Sequence, residues 1–196
     1  MQAQTVKEIV LKTPDQTRGS HVMKAFADRR SERTFAAKEI SLQDLSDLLW
    51  AANGINRPAD RKRTAPSALN KQDIDIYVFK PEGVYLYEAD RHVLKPVADG
   101  DHRDAVAGGQ DFVKTAPVCL VYVSDLARFG GGITEQAKLM GAMDAGIVSQ
   151  NVNLFCAGVG LATVPRASMD QAALRKLLKL SAAQIPMMNN PVGHPQ

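Results

Sequence analysis

Pro117-Val118-Cys119-Leu120-Val121-Tyr122-Val123 is apolar at nearly every position. A strand with one face in water would alternate, so this pattern predicts a central strand covered on both faces. Downstream, residues 135–162 read as one long helix, apolar on most sides, in which Ala142, Ala145, Gly146 and Gly158 allow another helix to approach closely. A buried strand followed by a core helix sets the architecture, and the rest of the chain is placed around them.

Beyond the helix, residues 160–165 predict a short strand. Ser168, with Gln171 three positions later, suggests a capping box for a helix over 172–180, and residues 185–188 suit a last strand. Upstream, residues 73–79 alternate Ile74, Ile76 and Val78 with more polar positions; Pro81-Glu82-Gly83 then turns the chain into 84–87, giving a hairpin. Residues 56–72 hold two prolines, the charged run Asp60-Arg61-Lys62-Arg63 and no period, which predicts an exposed functional loop or lid. Ser41 can cap a helix whose face carries Leu42, Leu45, Leu48 and Leu49 and which Gly54 ends. Before it, Val22, Met23, Ala25 and Phe26 recur at helical spacing and run into the charged segment 28–33. No internal repeat or composition break divides the chain, so one α+β domain over 1–196 is expected.

Composition narrows the function classes. Apolar residues make up 45% and charged ones 23%, as in ordinary globular domains, so a disordered or fibrous chain is disfavoured. No apolar run is long enough for a membrane span, and residues 1–13 lack the pattern of a secretory leader, so a cytoplasmic location is expected unless a leader was removed earlier. Cys119 and Cys156 have no metal-ligand or redox spacing and read as small core residues. The net charge of +3 does not announce nucleic acid, and the basic stretch 57–63 lacks the interleaved aromatics of an RNA-binding surface.

The most informative chemical signal is Arg29-Arg30-Ser31-Glu32-Arg33, followed by Thr34-Phe35, where a helix hands over to a loop. Three guanidinium forks and a hydroxyl within five residues can surround a phosphate. A solvated basic helix end would look the same. The sequence Arg-Arg-Ser-x-Arg-x-Phe resembles the FMN-phosphate motif of nitroreductase-like flavoproteins, and further landmarks follow in that family's order. Pro66-Ser67-Ala68-Leu69-Asn70-Lys71-Gln72 is similar to its Pro-Ser-x-x-Asn-x-Gln segment, Gly160-Leu161-Ala162-Thr163-Val164-Pro165 to its Gly-Leu-x-x-Val-Pro turn, and Pro191-Val192-Gly193-His194-Pro195 to its C-terminal Pro-Val-Gly-Tyr-Pro.

The resemblance implies a nitroreductase-like α+β fold with a mixed central sheet flanked by helices, working as a homodimer with FMN at the subunit interface. It implies that Arg29 and Ser31 hold the FMN phosphate, Arg30 lies along the ribityl chain and Arg33 reaches the N1/O2 edge. Pro66, Ser67 and Ala68 would pass close to the cofactor, with Asn70 and Gln72 reading the pyrimidine edge. Pro165 would shape a turn whose Ala167 and Ser168 amides address N5 and O4. The family's usual Glu-Gly pair there is Ala167-Ser168 in this chain, His194 stands in the place of Tyr, and no basic residue follows Pro195. Arg166, or the stretch 61–63, is the expected substitute for that cation.

The implied activity is an FMN-dependent oxidoreductase in which NADH or NADPH reduces the flavin and a nitroaromatic, quinone or similar acceptor reoxidises it, one pocket serving both by a ping-pong mechanism. The cofactor carries the chemistry, so no catalytic side chain or metal is required. Two alternatives remain at this level. Residues 48–54 and 63–67 also resemble FMN-dependent dehydrogenases that oxidise azoline rings in peptides, and a flavin-binding protein without turnover would carry the same motifs. Gln150, Asn151 and Asn153 in the long helix read as buried amides bridging helices rather than as catalytic groups.

Overall fold

The structure, a computed structural model, describes residues 5–196, so the first four positions of the leader reading lie outside the described residues. In chain order the elements are β1 (Ile9–Val10), α1 (Val22–Asp28), α2 (Leu42–Asn53), β2 (Ile55–Arg57), β3 (Lys62–Arg63), β4 (Ile74–Lys80), β5 (Gly83–Glu88), β6 (Val93–Asp99), α3 (Arg103–Ala107), β7 (Val118–Asp125), α4 (Glu135–Val159), β8 (Ala162–Thr163), α5 (Gln171–Leu177) and β9 (Gln184–Gly193).

Seven strands form one sheet in the order β1-β6-β5-β4-β7-β9-β8, with β7 between β4 and β9. The central-strand reading of 117–123 holds: β7 is buried along its length except at Asp125. The expectation of a mixed sheet does not hold within this chain. Every described pairing is antiparallel, because β4, β5 and β6 run up and down through tight turns and β9 returns against β7 rather than alongside it.

Strand pleating divides the core in two. On one face Ile74, Ile76, Val78, Leu120 and Tyr122 pack against Leu45, Leu48, Leu49 and Ala52 of α2 and Ala145, Val148, Val152 and Cys156 of α4. On the other, Tyr77, Phe79, Cys119, Val121 and Val123 pack against Val106 of α3 and Leu174 of α5. β4 is therefore covered on both sides, more fully than its alternation suggested. Each fully buried leucine or isoleucine here contributes about 2 kcal/mol of transfer free energy.

The helix ends follow from named groups. Ser41 Oγ accepts from the Asp44 amide at 3.0 Å and opens α2. Gly54 closes it where the chain passes so near Trp50 that a Cβ would lie 2.5 Å from the indole. α4 is capped by Thr134 and stops at Val159, because Gly160 takes φ +78°. The helix thus ends before residue 162, the limit read from its apolar pattern.

The capping box at Ser168 is corrected. Asp170 caps α5, its Oδ1 accepting from the Ala173 amide at 2.9 Å, while the Ser168 carbonyl accepts from Asn189 Nδ2. In the 56–72 segment, Ile55 and Arg57 pair with Arg63 and Lys62 as a small hairpin around a 3₁₀ turn at Pro58–Asp60. α1 forms where expected, but only Ala25 faces inward; Val22, Met23 and Phe26 are 62%, 75% and 53% exposed. Among the described residues no helix is long and apolar enough to cross a membrane.

Candidate functional site

Three of the four sequence landmarks meet at one end of the molecule. The Glu32 amide donates to the Thr163 carbonyl at 2.9 Å, the Ala36 amide donates to the His194 carbonyl at 2.9 Å, and Phe35 forms a backbone bridge with Pro195. The loop after α1, the turn after α4 and the end of β9 are thereby laced together. Between them lies a cleft of about 270 Å³ whose lining includes Arg30, Asn153, Ala157, Gly160 and Thr163.

The charged side chains lining it are Asp28, Arg30 and Glu32, while Arg29, Ser31 and Arg33 stand on the same loop outside that lining. Arg30 is paired with Glu32, whereas Arg29 and Arg33 enter no ion pair among the described residues, and Ser31 is exposed between them. Guanidinium groups that form no ion pair can take a bound anion as partner. Further along, Pro165 is half-buried, Ala167 and Ser168 are exposed, and among the described residues neither of those two amides donates a hydrogen bond. Both remain available to an acceptor on a ligand.

Arg166 differs from its neighbours. Its side chain is turned into the protein: Nε donates to Gln110 Oε1, Nη1 to the Val106 carbonyl and Asn189 Oδ1, and Nη2 to the Ala107 carbonyl, at 2.6–3.1 Å. It also lies over the Phe112 ring. Burial lowers its pKa from the usual guanidinium value. The group holds the end of α3 against β9, so the expectation that its charge replaces a C-terminal cation is corrected. Those carbonyls have no other charged donor, which is why the side chain turns inward.

The fourth landmark, residues 66–72, lies elsewhere. The Ala68 amide donates to both carboxylate oxygens of Asp144 at 2.8 and 3.1 Å, and the Gln72 amide donates to Ser67 Oγ at 2.8 Å. Asp144 and the cleft residue Cys156 are twelve positions apart on α4, about 18 Å along the axis. Pro66 is exposed beside a half-buried Ser67 and Ala68, Asn70 is exposed, and Gln72 Oε1 accepts from Arg63 Nε at 2.9 Å. Leu69, Asn70 and Gln72 take φ of +54°, +53° and +48°. Such conformations cost residues with side chains about 1–2 kcal/mol each and persist when surrounding contacts enforce them.

Stretch 61–63 belongs with this second group. Arg61 pairs with Asp90, and Arg63 also donates to the Asn53 carbonyl at 3.0 Å. Within one chain it does not approach residues 29–33 as a substitute phosphate ligand, because its guanidinium groups are held beside Asn53, Gln72 and Asp90.

Reading the sequence missed the scaffold behind the cleft. Asn190, fully buried, accepts through Oδ1 from Tyr122 Oη at 2.9 Å and Ser149 Oγ at 2.7 Å, and donates through Nδ2 to Asn153 Oδ1 at 2.9 Å and Thr163 Oγ1 at 3.0 Å. All four hydrogen-bonding sites of the amide are used. Two adjacent asparagines inside a strand, Asn189-Asn190, were the available signal, since strands disfavour them without a specific partner. Of the helix amides, Asn151 does bridge helices, donating to the Ala52 carbonyl, whereas Asn153 joins α4 to β9. Cys119 and Cys156 are buried free thiols.

The nitroreductase family model matches residues 26–194 of this chain. A protein of Methanocaldococcus jannaschii that carries a nitroreductase name is 31% identical over 174 residues, which cover 84% of this chain and 86% of that protein. An FMN reductase [NAD(P)H] of Bacillus subtilis is 25% identical over 190 residues, covering 90% of this chain and 66% of the relative. A Ralstonia eutropha crystal structure, described as a nitroreductase, superposes with a TM-score of 0.90 at 34% identity, covering 98% of this chain and 93% of that one. With a match spanning the cleft, the long helix and the sheet, the chain belongs to the nitroreductase family.

Proposed function

We propose that this oxidoreductase is FMN-dependent, taking electrons from NADH or NADPH and passing them to a nitroaromatic, quinone or similar acceptor. The observation that carries this reading is the convergence of the loop 29–33, the turn after α4 and the end of β9 on one cleft, with Arg29 and Arg33 on that loop in no ion pair among the described residues. The B. subtilis relative supports the choice of flavin and donor. When bound, FMN would supply the two-electron chemistry that no side chain in the cleft offers.

This chain's residues would bind and orient the cofactor. Arg29 and Ser31 suit the phosphate, Arg30 the ribityl chain, and Arg33 the pyrimidine edge, where a fixed cation favours the reduced flavin. The free amides of Ala167 and Ser168 suit the N5 and O4 side. Pro66, Ser67, Ala68, Asn70 and Gln72 suit the other edge of the ring. Within one chain, however, that segment lies about 18 Å along α4 from the cleft.

That separation favours a homodimer in which each flavin is held by the cleft of one copy and the 66–72 loop of the other. The apolar residues Val22, Met23 and Phe26 of α1, with Leu139 and Met143 of α4, are more than half exposed in the single chain and suit burial against a second copy.

The test begins with the visible spectrum of the purified protein and identification of the nucleotide released on denaturation. The oxidised flavin band should bleach anaerobically with NADH or NADPH, and steady-state double-reciprocal plots should be parallel. A preparation that stays colourless after incubation with excess FMN refutes the cofactor, and a yellow protein that neither nucleotide bleaches refutes turnover.

A further inference from the structure

The 66–72 loop is fastened to α4 by Asp144, and Asp144 has a buried acidic neighbour. Asp73 is 0% exposed and Asp144 4%. Ser124 Oγ donates to Asp73 Oδ2 at 2.5 Å, while Asp73 Oδ1 has no hydrogen-bond partner. α4 presses on this spot: a Cβ at Gly141 would lie 2.3 Å from Ser124 Oγ, and Asp144 is one turn further along the same face. A buried carboxylate oxygen without a donor, beside a second carboxylate, is explained if a proton lies between them.

We propose that Asp73 and Asp144 form one carboxylic acid–carboxylate pair, sharing a single proton, which holds the 66–72 loop in the strained conformation that presents it to the flavin. The flavin clause rests on the proposed function; the loop anchor does not.

The two acids then have separate tasks. Asp73 carries the proton and donates it in a hydrogen bond to Asp144. Asp144 accepts the Ala68 amide. Burial is the largest cause raising Asp73, to about 7; the Ser124 hydroxyl opposes it, and the neighbouring Asp144 adds to it. The cations facing this region are held by other groups. Arg128, from the turn after β7, donates to Asp75 at 2.7 and 2.8 Å and to the Gln72 carbonyl at 2.6 Å and pairs with Asp125, while Arg63 of β3 donates to Gln72 and Asn53. Neither donates a hydrogen bond to the pair, although the Asp73 charge reaches Arg128 through space.

Because Asp73 is raised, it keeps its proton through mildly acidic conditions and loses it as pH climbs through about 7. Two adjacent buried carboxylates then repel, and Asp144 is displaced from Ala68. Leu69, Asn70 and Gln72, held at positive φ by the tie, are released toward ordinary backbone. Both acids are positioning residues, since they act on the ligand through the loop.

The experiment is backbone amide exchange at Ala68 between pH 5.5 and 9, corrected for intrinsic base catalysis, on protein without added flavin. Protection should be constant on the acid side and fall roughly tenfold as the pair loses its proton, near the low end of linked-site couplings. Asp73→Asn keeps an N–H donor that cannot ionise, so protection should stay flat to pH 9. Ser124→Ala removes the hydroxyl favouring ionised Asp73, so the midpoint should move upward. A flat wild-type profile, an unchanged fall in Asp73→Asn, or an unmoved midpoint in Ser124→Ala overturns the pair. FMN affinity over the same pH series reads the second clause: an affinity that ignores the loss of Ala68 protection refutes the loop's role toward the flavin and leaves the anchor standing.

Discussion

Replacing Asn190 with leucine removes a hub of four hydrogen bonds while keeping side-chain volume similar. Tyr122, Ser149, Asn153 and Thr163 each lose one bond at 2.7–3.0 Å, in a region where Asn190 and Tyr122 are fully buried. At about 1 kcal/mol net per bond the direct loss is about 4 kcal/mol. Thr163 keeps its bond to the Pro191 carbonyl, but Tyr122 Oη and Ser149 Oγ lose their acceptor and add a desolvation cost of about 1 kcal/mol or more. The expected destabilisation is therefore on the order of 5 kcal/mol, a large part of the stability of a domain this size. Urea unfolding of the variant and wild type, with matched slopes, measures it. Ser149→Ala alone should cost about 1 kcal/mol, and the double variant less than the sum, because the two share one bond. A loss under about 1 kcal/mol for Asn190→Leu would refute the hub.

Three further outcomes are expected. Arg29→Ala with Ser31→Ala should release FMN at least tenfold more readily while leaving the far-ultraviolet spectrum unchanged; retention equal to wild type in equilibrium dialysis excludes the phosphate assignment. Arg166→Met should lower the urea midpoint by the equivalent of about 2–4 kcal/mol, since it removes the donor to the Val106 carbonyl and to the Gln110 and Asn189 side chains; an unchanged midpoint would show that this clamp adds nothing. Burial pushes the Cys119 thiol up to about 12 and raises Cys156 as well, so neither should react with a thiol reagent at pH 8 until urea unfolds the chain; prompt labelling of the native protein contradicts that burial.

The central strand, the long helix, the first hairpin and the Ser41 cap were legible because each depends on local periodicity or on one capping group. The third strand of the meander, β6, was not: Val93-Leu94 continues into Lys95-Pro96, whose polar and cyclic residues are tolerated where the strand's outer half faces solvent. β9 was read as only residues 185–188, because Asn189 and Asn190 look like strand breakers until their partners on β7, α4, β8 and the turn after β8 are known. The same limit applied at the site. The loop at 29–33 and the 163–168 turn could be singled out as candidates because their residue types stand together in short local motifs. Asp144, Asp73 and the true task of Arg166 depend on which distant group each meets, and spacing along the chain does not encode that. The outward turn of Val22, Met23 and Phe26 was hidden for a related reason: an apolar helical stripe looks the same whether it faces its own core or a second molecule.

The length of α4 has a genetic consequence. If one copy's cleft and the other copy's loop together make each pocket, a lesion near residue 30 and a lesion near residue 70 damage different halves. Mixed assemblies of two inactive mutants would then contain one pocket bearing both lesions and one bearing neither. Coexpressing Arg29→Ala, Ser31→Ala chains with Asn70→Ala chains should restore up to half of the normal activity in the hybrid, and no recovery would mean that each chain builds its pocket alone. Intragenic complementation of this kind would thus follow from a single rigid rod separating two groups of ligands.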